Sequence, residues 1–255
     1  MFRIYFHILI TLLLLVLPFQ NAFSQQKITV ALGNTMPPWV MVEDNSGIIP
    51  DLLRATLGAH GYQIQFVYAP YARRITLYNE NLVDVVYDIN EKVIETHRMS
   101  GYFSDIAYSY ENFAFSLTKQ NLQLNSIGQL KHFSVLSWQG AKELLSPEYQ
   151  VMARENPQYA ETYDQLAQVQ LLYRKRYEVI QMDGKIFDYY RALINIKGEI
   201  DVSEPVQRFA LFGKNSNGFL FRDEALRDLF NESLRKLKST EEYIRIINRY
   251  TSKSH

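Results

Sequence analysis

Apolar and polar positions change period repeatedly along this chain. Lys27 to Leu32 alternates and is rich in β-formers, which predicts a half-buried strand. Leu52, Leu53 and Leu57 fall at helical spacing, with Pro50 at an early helical position and Gly61 as a left-handed stop. Tyr62 to Tyr68 reads as a second strand, Tyr71 to Tyr78 as a helix, and Leu82 to Tyr87 as a third, buried strand. A βαβαβ run of this kind builds a mostly parallel sheet with helices on its faces.

After an expected loop over 88–101, Tyr108 to Thr118 is extended and aromatic, and the alternation then restarts. A short helix is expected at Ser126 to Leu130 and a strand at Phe133 to Ser137. A turn at Trp138-Gln139-Gly140 opens a helix from Ala141, and Asp164 caps a helix to about Arg176. Tyr177 to Met182 reads as a strand, Gly184 to Asn195 as a helix, and Phe209 to Phe212 and Gly218 to Phe221 as strands. Two helices close the chain, the second opened by a Ser239-x-x-Glu242 capping box. The expected fold is α/β and two-lobed, each lobe a mostly parallel sheet flanked by helices. Two crossover segments, near 113–118 and 209–217, join the lobes. Lobe 1 is expected over 25–115 plus 213–255 and lobe 2 over 116–212. Such folds bind ligands in the crevice at the carboxyl ends of their strands.

The first residues follow a different pattern. Arg3 precedes an apolar run from Ile8 to Leu17, Pro18 breaks it, and Ala22-Phe23-Ser24 supplies small residues at cleavage positions. The run is too short for the roughly 20 residues that span a bilayer, so residues 1–24 read as a secretory signal peptide. The rest of the chain then works outside the cytoplasm. Lys plus Arg and Asp plus Glu balance at 27 each, which gives no electrostatic reason to expect a nucleic-acid partner. Cys is absent, which excludes disulfides and thiol chemistry. Aromatic residues make up 14% of the chain and include 18 Tyr, a residue suited to a wet ligand cleft or to the edge of a core.

Catalysis finds no support. The five His show no zinc spacing, there is no Gly-x-Ser-x-Gly elbow, and no phosphate-binding Gly-rich loop appears. Asp84 with Asp88, or Glu91 with Glu95, could form a carboxylate pair, but solvated faces explain them. No catalytic residue, metal or cofactor is expected.

The ordered set Gly47-Ile48-Ile49-Pro50-Asp51-Leu52-Leu53, Pro70-Tyr71-Ala72-Arg73, Val83-Asp84-Val85-Val86, His97-Arg98 followed by Tyr102-Phe103-Ser104, and Tyr177 to Asp183 resembles the family 3 extracellular solute-binding proteins of the polar amino-acid-binding type. The resemblance covers about residues 27–250. It implies the type II periplasmic-binding-protein fold, closure on a small polar ligand (amino-acid-like or a carboxylate), and delivery to an inner-membrane ABC permease by a monomeric binder. A ligand-sensing module is the alternative, and an enzyme on the same fold, dehydratase-like, a more distant one. By this resemblance Trp39 matches the aromatic that stacks on the ligand, and Asp183 the acid that accepts from an α-amino group. The turn at Trp138-Gln139-Gly140 matches one that offers backbone N–H groups to an anion. The Arg that clamps the ligand's carboxylate has Arg98 as its nearest match, in a segment longer than the family's and out of register.

The residues themselves leave alternatives open. Arg73 and Arg74 follow Pro70 at a helix start, where the macrodipole disfavours a cation. A bound carboxylate would offset this for one of them through a bidentate fork; otherwise they face water or pair with Glu80 or Asp84. Asp183 is a helix N-cap or a ligand for a cation. Trp39 and Trp138 line the cleft or anchor loops. Tyr71, Tyr87 and Tyr108 are weaker candidates. The expected ligand-binding set is Trp39, Tyr71, Arg73, Arg98, Trp138, Gln139 and Asp183.

Overall fold

The computed structural model describes residues 26–250; the expected signal peptide lies outside them. The first lobe opens with β1 (Lys27–Leu32), whose alternation buries Ile28, Val30 and Leu32. Helix α1 (Ile48–Thr56) buries Ile48, Ile49, Leu52, Leu53 and Thr56, one stripe at helical spacing. A 3₁₀ turn at Gly58–His60 follows, with Gly61 left-handed at its end. Then come β2 (Gln63–Tyr68), α2 (Tyr71–Asn79) and β3 (Val85–Ile89). The segment expected as a loop holds a helix, α3 (Glu91–Thr96), which the Asn90 side chain caps by accepting from Val93 N–H at 3.0 Å. The two-residue β4 (Tyr102–Phe103) precedes β5 (Tyr108–Leu117).

The second lobe contains β6 (Val135–Trp138), α4 (Ala141–Leu144), α5 (Pro147–Glu155), β7 (Tyr159–Thr162), α6 (Gln165–Tyr173), β8 (Val179–Asp183) and α7 (Gly184–Lys197). The expected helix from Ala141 is split, because Ser146 caps a new one with Pro147 in its first turn. The chain returns through β9 (Val206–Phe209) and β10 (Lys214–Phe221) to α8 (Glu224–Lys238) and α9 (Glu241–Asn248). The strand expected at 209–212 lies earlier, at β9, because residues 206–209 are the ones that pair with Leu117 to Ala114. Thr240, not Ser239, caps α9, accepting from Tyr243 N–H. Among the described residues no helix is long and apolar enough to cross a membrane.

Strand order is β2-β1-β3-β10-β5-β8-β6-β7, with β4 on β10 and β9 on β5. Each lobe repeats one plan. Three parallel strands, β2-β1-β3 in the first and β7-β6-β8 in the second, are closed by one antiparallel strand from a crossing segment. The crossing segments pair with each other, Glu111 opposite Lys214 through Tyr108 opposite Asn217. From Asn112 onward β5 changes partner to β8, and from Gly218 onward β10 changes to β3. A two-stranded antiparallel ribbon therefore stands between the halves. The largest buried cluster runs through it, from Leu32 and Trp39 by way of Tyr108 and Phe115 to Met182 and Phe187.

Candidate functional site

The carboxyl ends of the parallel strands of both lobes face the ribbon, and a polar, tyrosine-rich cluster collects there. Arg74 is its centre. It sits in the first turn of α2 and is only 5% exposed, on the same helix face as Ile75 and Tyr78. Its Nη1 donates to the Tyr87 carbonyl at 2.9 Å. Its guanidinium lies 5.2 Å from the ring centres of both Tyr71 and Tyr87, an aromatic sandwich that suits a weakly hydrated planar cation. Nη2 reaches Asp88 Oδ2 at 3.4 Å, a long contact for a charge-assisted pair. Among the described residues the buried Nε meets no acceptor. The chain thus holds a desolvated cation with incomplete compensation, which is costly unless something else completes it.

Asp88, next to last in β3 and skipped in its pairing with β10, has a left-handed backbone, φ 69°, a conformation that costs most non-glycine residues energy and clusters at functional positions. Its other oxygen accepts from the Tyr108 hydroxyl, again at 3.4 Å. Burial pushes its pKa above the ordinary carboxylate value, against the opposing pull of Arg74. Tyr87 stacks on Tyr108 with ring centres 5.4 Å apart, Tyr110 stands edge-on to Tyr108, and the Tyr87 and Tyr110 hydroxyls bond each other. Burial raises the pKa of all three, so they act as neutral hydrogen-bonding groups.

Trp39 and Asp183 join the halves. Trp39, from the loop after β1, is 1% exposed; its ring stands edge-on to Tyr110, 5.0 Å away, and its Nε1 donates to Asp183 Oδ1 at 3.1 Å. Asp183 also accepts from the Lys185 and Ile186 N–H groups as the N-cap of α7, and from Glu111 N–H in the ribbon. Burial raises its pKa against these four donors. Its oxygens are thus engaged by the chain itself: it is both the cap and an inter-lobe tie. Gly47 makes the Trp39 loop feasible. With φ 119°, a Cβ there would stand 2.7 Å from the Trp39 carbonyl oxygen.

Other expected residues lie elsewhere. Arg73 is on the opposite side of α2 from Tyr78, exposed, 3.7 Å from Glu80. The helical turn that buries Arg74 carries its neighbour outward. Arg98 is exposed just after α3, with φ 48°, and among the described residues it is brought to no carboxylate. Tyr71, 40% exposed, does join the site, as one face of the Arg74 sandwich and an edge-on neighbour of His97.

Trp138 is half-buried against the second-lobe core, and Gln139 is exposed, its N–H spent on the Thr162 carbonyl. The N–H groups of Gly140 and Lys142, expected to await an anion, donate to the carboxylate of Glu161 at 2.8 and 2.9 Å. Burial works to raise the Glu161 pKa, but these bonds and the Tyr159 hydroxyl hold it below the ordinary value. The chain's own acid fills that turn. Asp84 and Asp88 do not lie on a solvated face either. Asp84 ties β3 to β1 by accepting from Thr29 N–H and Oγ1 at 2.7 and 2.6 Å.

Two α/β lobes that face each other across a crossing ribbon, with charged and aromatic groups between, define the class of proteins that trap small solutes. A profile of the bacterial extracellular solute-binding proteins, family 3, matches residues 28–253, and the chain belongs to that family. An ancestral cationic amino acid solute-binding protein aligns with a TM-score of 0.68 at 16% identity, over 89% of this chain and 96% of that one. The GluR0 ligand-binding core in complex with L-glutamate gives 0.66 at 17%, over 90% and 100%. An ancestral arginine-binding protein bound to arginine gives 0.61 at 19%, over 89% and 98%. At these identities the likeness carries the fold alone. No curated protein matches the chain.

Proposed function

We propose that this chain is a periplasmic solute-binding protein, exported by a signal peptide in residues 1–24, that captures a small carboxylate-bearing ligand between its lobes and presents it to an inner-membrane ABC permease. Arg74 carries the reading. It is a buried guanidinium at the lobe junction, between two tyrosine faces, with an Nε that meets no acceptor among the described residues and only a long contact to Asp88. A ligand carboxylate would satisfy that fork bidentately and complete the compensation of a desolvated charge. It would also sit at the N-terminus of α2, where the macrodipole favours an anion. Amino acids bound by the structural neighbours are of this size and charge. The lobes close about the ribbon of 108–111 and 214–217, and the ligand is released unchanged.

A thermal-shift screen over amino acids, polyamines, short peptides and simple carboxylates tests this. A ligand that binds the folded state raises stability by mass action, about 2.7 kcal/mol at a hundred times its Kd. Carboxylate-bearing compounds are expected to raise the melting temperature; stabilisation by polyamines alone would refute the reading.

A further inference from the structure

We infer that Asp88, in the first lobe, accepts the ligand's cationic amine, and that Asp183 does not; this rests on the carboxylate reading of Arg74. The two acids differ in what already surrounds them. Asp183 is engaged by four N–H donors at 3.0 to 3.1 Å, from Trp39, Glu111, Lys185 and Ile186. Three of these fall on Oδ1 and one on Oδ2, so the helix cap and the inter-lobe tie already use the carboxylate's usual acceptor capacity of about four bonds. Asp88 receives no N–H from the backbone: Arg74 and Tyr108 reach it at 3.4 Å each, and the Tyr110 hydroxyl is the third group turned to it. It keeps lone pairs for a further donor.

Its position fits the role. Asp88 has a left-handed backbone near the end of β3, and its carboxylate lies 3.4 Å from the Arg74 guanidinium. A molecule whose carboxylate and ammonium are separated by one carbon presents an anion and a cation about 3 Å apart, the spacing of a hydrogen-bonded pair. Such a zwitterion can enter the loose Arg74–Asp88 contact, its carboxylate on the guanidinium and its ammonium on the acid. The buried guanidinium and the half-buried acid then both gain close partners. A plain carboxylate satisfies Arg74 but pulls it from Asp88, leaving a half-buried acid without a cation. A plain amine does the reverse. The site therefore selects α-amino acids over their des-amino and decarboxylated counterparts, and Asp88 makes that selection.

The test is calorimetry on the mature chain with the best-binding L-amino acid of a twenty-member panel, its des-amino carboxylate, and its decarboxylated amine. Asp88→Asn is the informative variant, because Asn tolerates the left-handed backbone. It is expected to weaken the amino acid about tenfold or more while leaving the des-amino carboxylate equal or tighter, so that the preference collapses. Asp183→Asn, a side chain that still caps a helix, is expected to lower the melting temperature and keep the preference. A preference that survives Asp88→Asn, or that is lost in Asp183→Asn, overturns the assignment while the carboxylate reading stands. A wild-type chain that binds no amino acid and no carboxylate overturns both.

Discussion

Arg73 and Arg74 are adjacent in sequence and opposite in environment. A helix turns about 100° per residue, so one of two neighbours on α2 must face the core once Ile75 and Tyr78 do. Arg74 goes inward to the Tyr87 carbonyl and Asp88; Arg73 goes out to Glu80. Asp88 carries a stability consequence. Its pKa is raised in the folded state from the ordinary 3.8, chiefly by burial. The folded chain therefore binds that proton more tightly than the unfolded chain does, and this group's contribution to stability falls as pH rises from the ordinary value through the raised one. Without ligand, denaturant titrations from about pH 4 to 7 should show Asp88→Asn gaining stability on wild type as pH rises. A constant difference across that range would show that Asp88 is not desolvated. The sequence permitted one arginine to bind, and the Tyr71, Arg74, Tyr78 spacing could have chosen it. The local sequence offered Asp88 only as a partner for Asp84, because the groups that surround it, Arg74 and Tyr108, come from 14 and 20 positions away.

At the scale of elements, periodicity located most strands and helices of both lobes, because each buries one clear face. It passed over α3 and β7, which are too short to establish a period, although Asn90 ahead of Glu91 was a legible cap. It also read the Gly140 turn as an open anion site. Glu161 fills it from a neighbouring strand, a tertiary contact that the local sequence does not reveal. The Trp39 loop depends on close backbone approach. Gly47→Ala would place its Cβ 2.7 Å from the Trp39 carbonyl oxygen on a backbone that alanine resists. The expected loss is about 2 kcal/mol or more in denaturant melts. A change within about 0.5 kcal/mol, the range of ordinary surface substitutions, would mean that the loop does not need that contact.

Over the whole molecule, two copies of one strand plan are stitched by a ribbon that belongs to both. Expected crossings at 113–118 and 209–217 follow from the aromatic extended runs. On β5 the exchange of partners falls slightly earlier, between Glu111 and Asn112, because register depends on pairing across the lobes. Trp39 reports on the junction. It touches Tyr110 in the ribbon and bonds Asp183 of the second lobe, whereas Trp138 packs within the second-lobe core. Movement of the lobes should change the surroundings of Trp39 far more. Ligand titrations followed by tryptophan emission are expected to lose most of their signal in Trp39→Phe and to keep it in Trp138→Phe; the opposite result would place the moving boundary elsewhere.

In the proposed reading the buried guanidinium of Arg74, in the first lobe beside the ribbon, anchors the ligand. Isothermal titration of the best ligand from the thermal-shift screen into Arg74→Ala and Arg73→Ala, each checked by melting temperature, decides this. Arg74→Ala should weaken binding by about a hundredfold or more, the cost of stripping a desolvated charge pair of one partner, while Arg73→Ala binds as wild type. Full affinity in Arg74→Ala, or loss confined to Arg73→Ala, would contradict it.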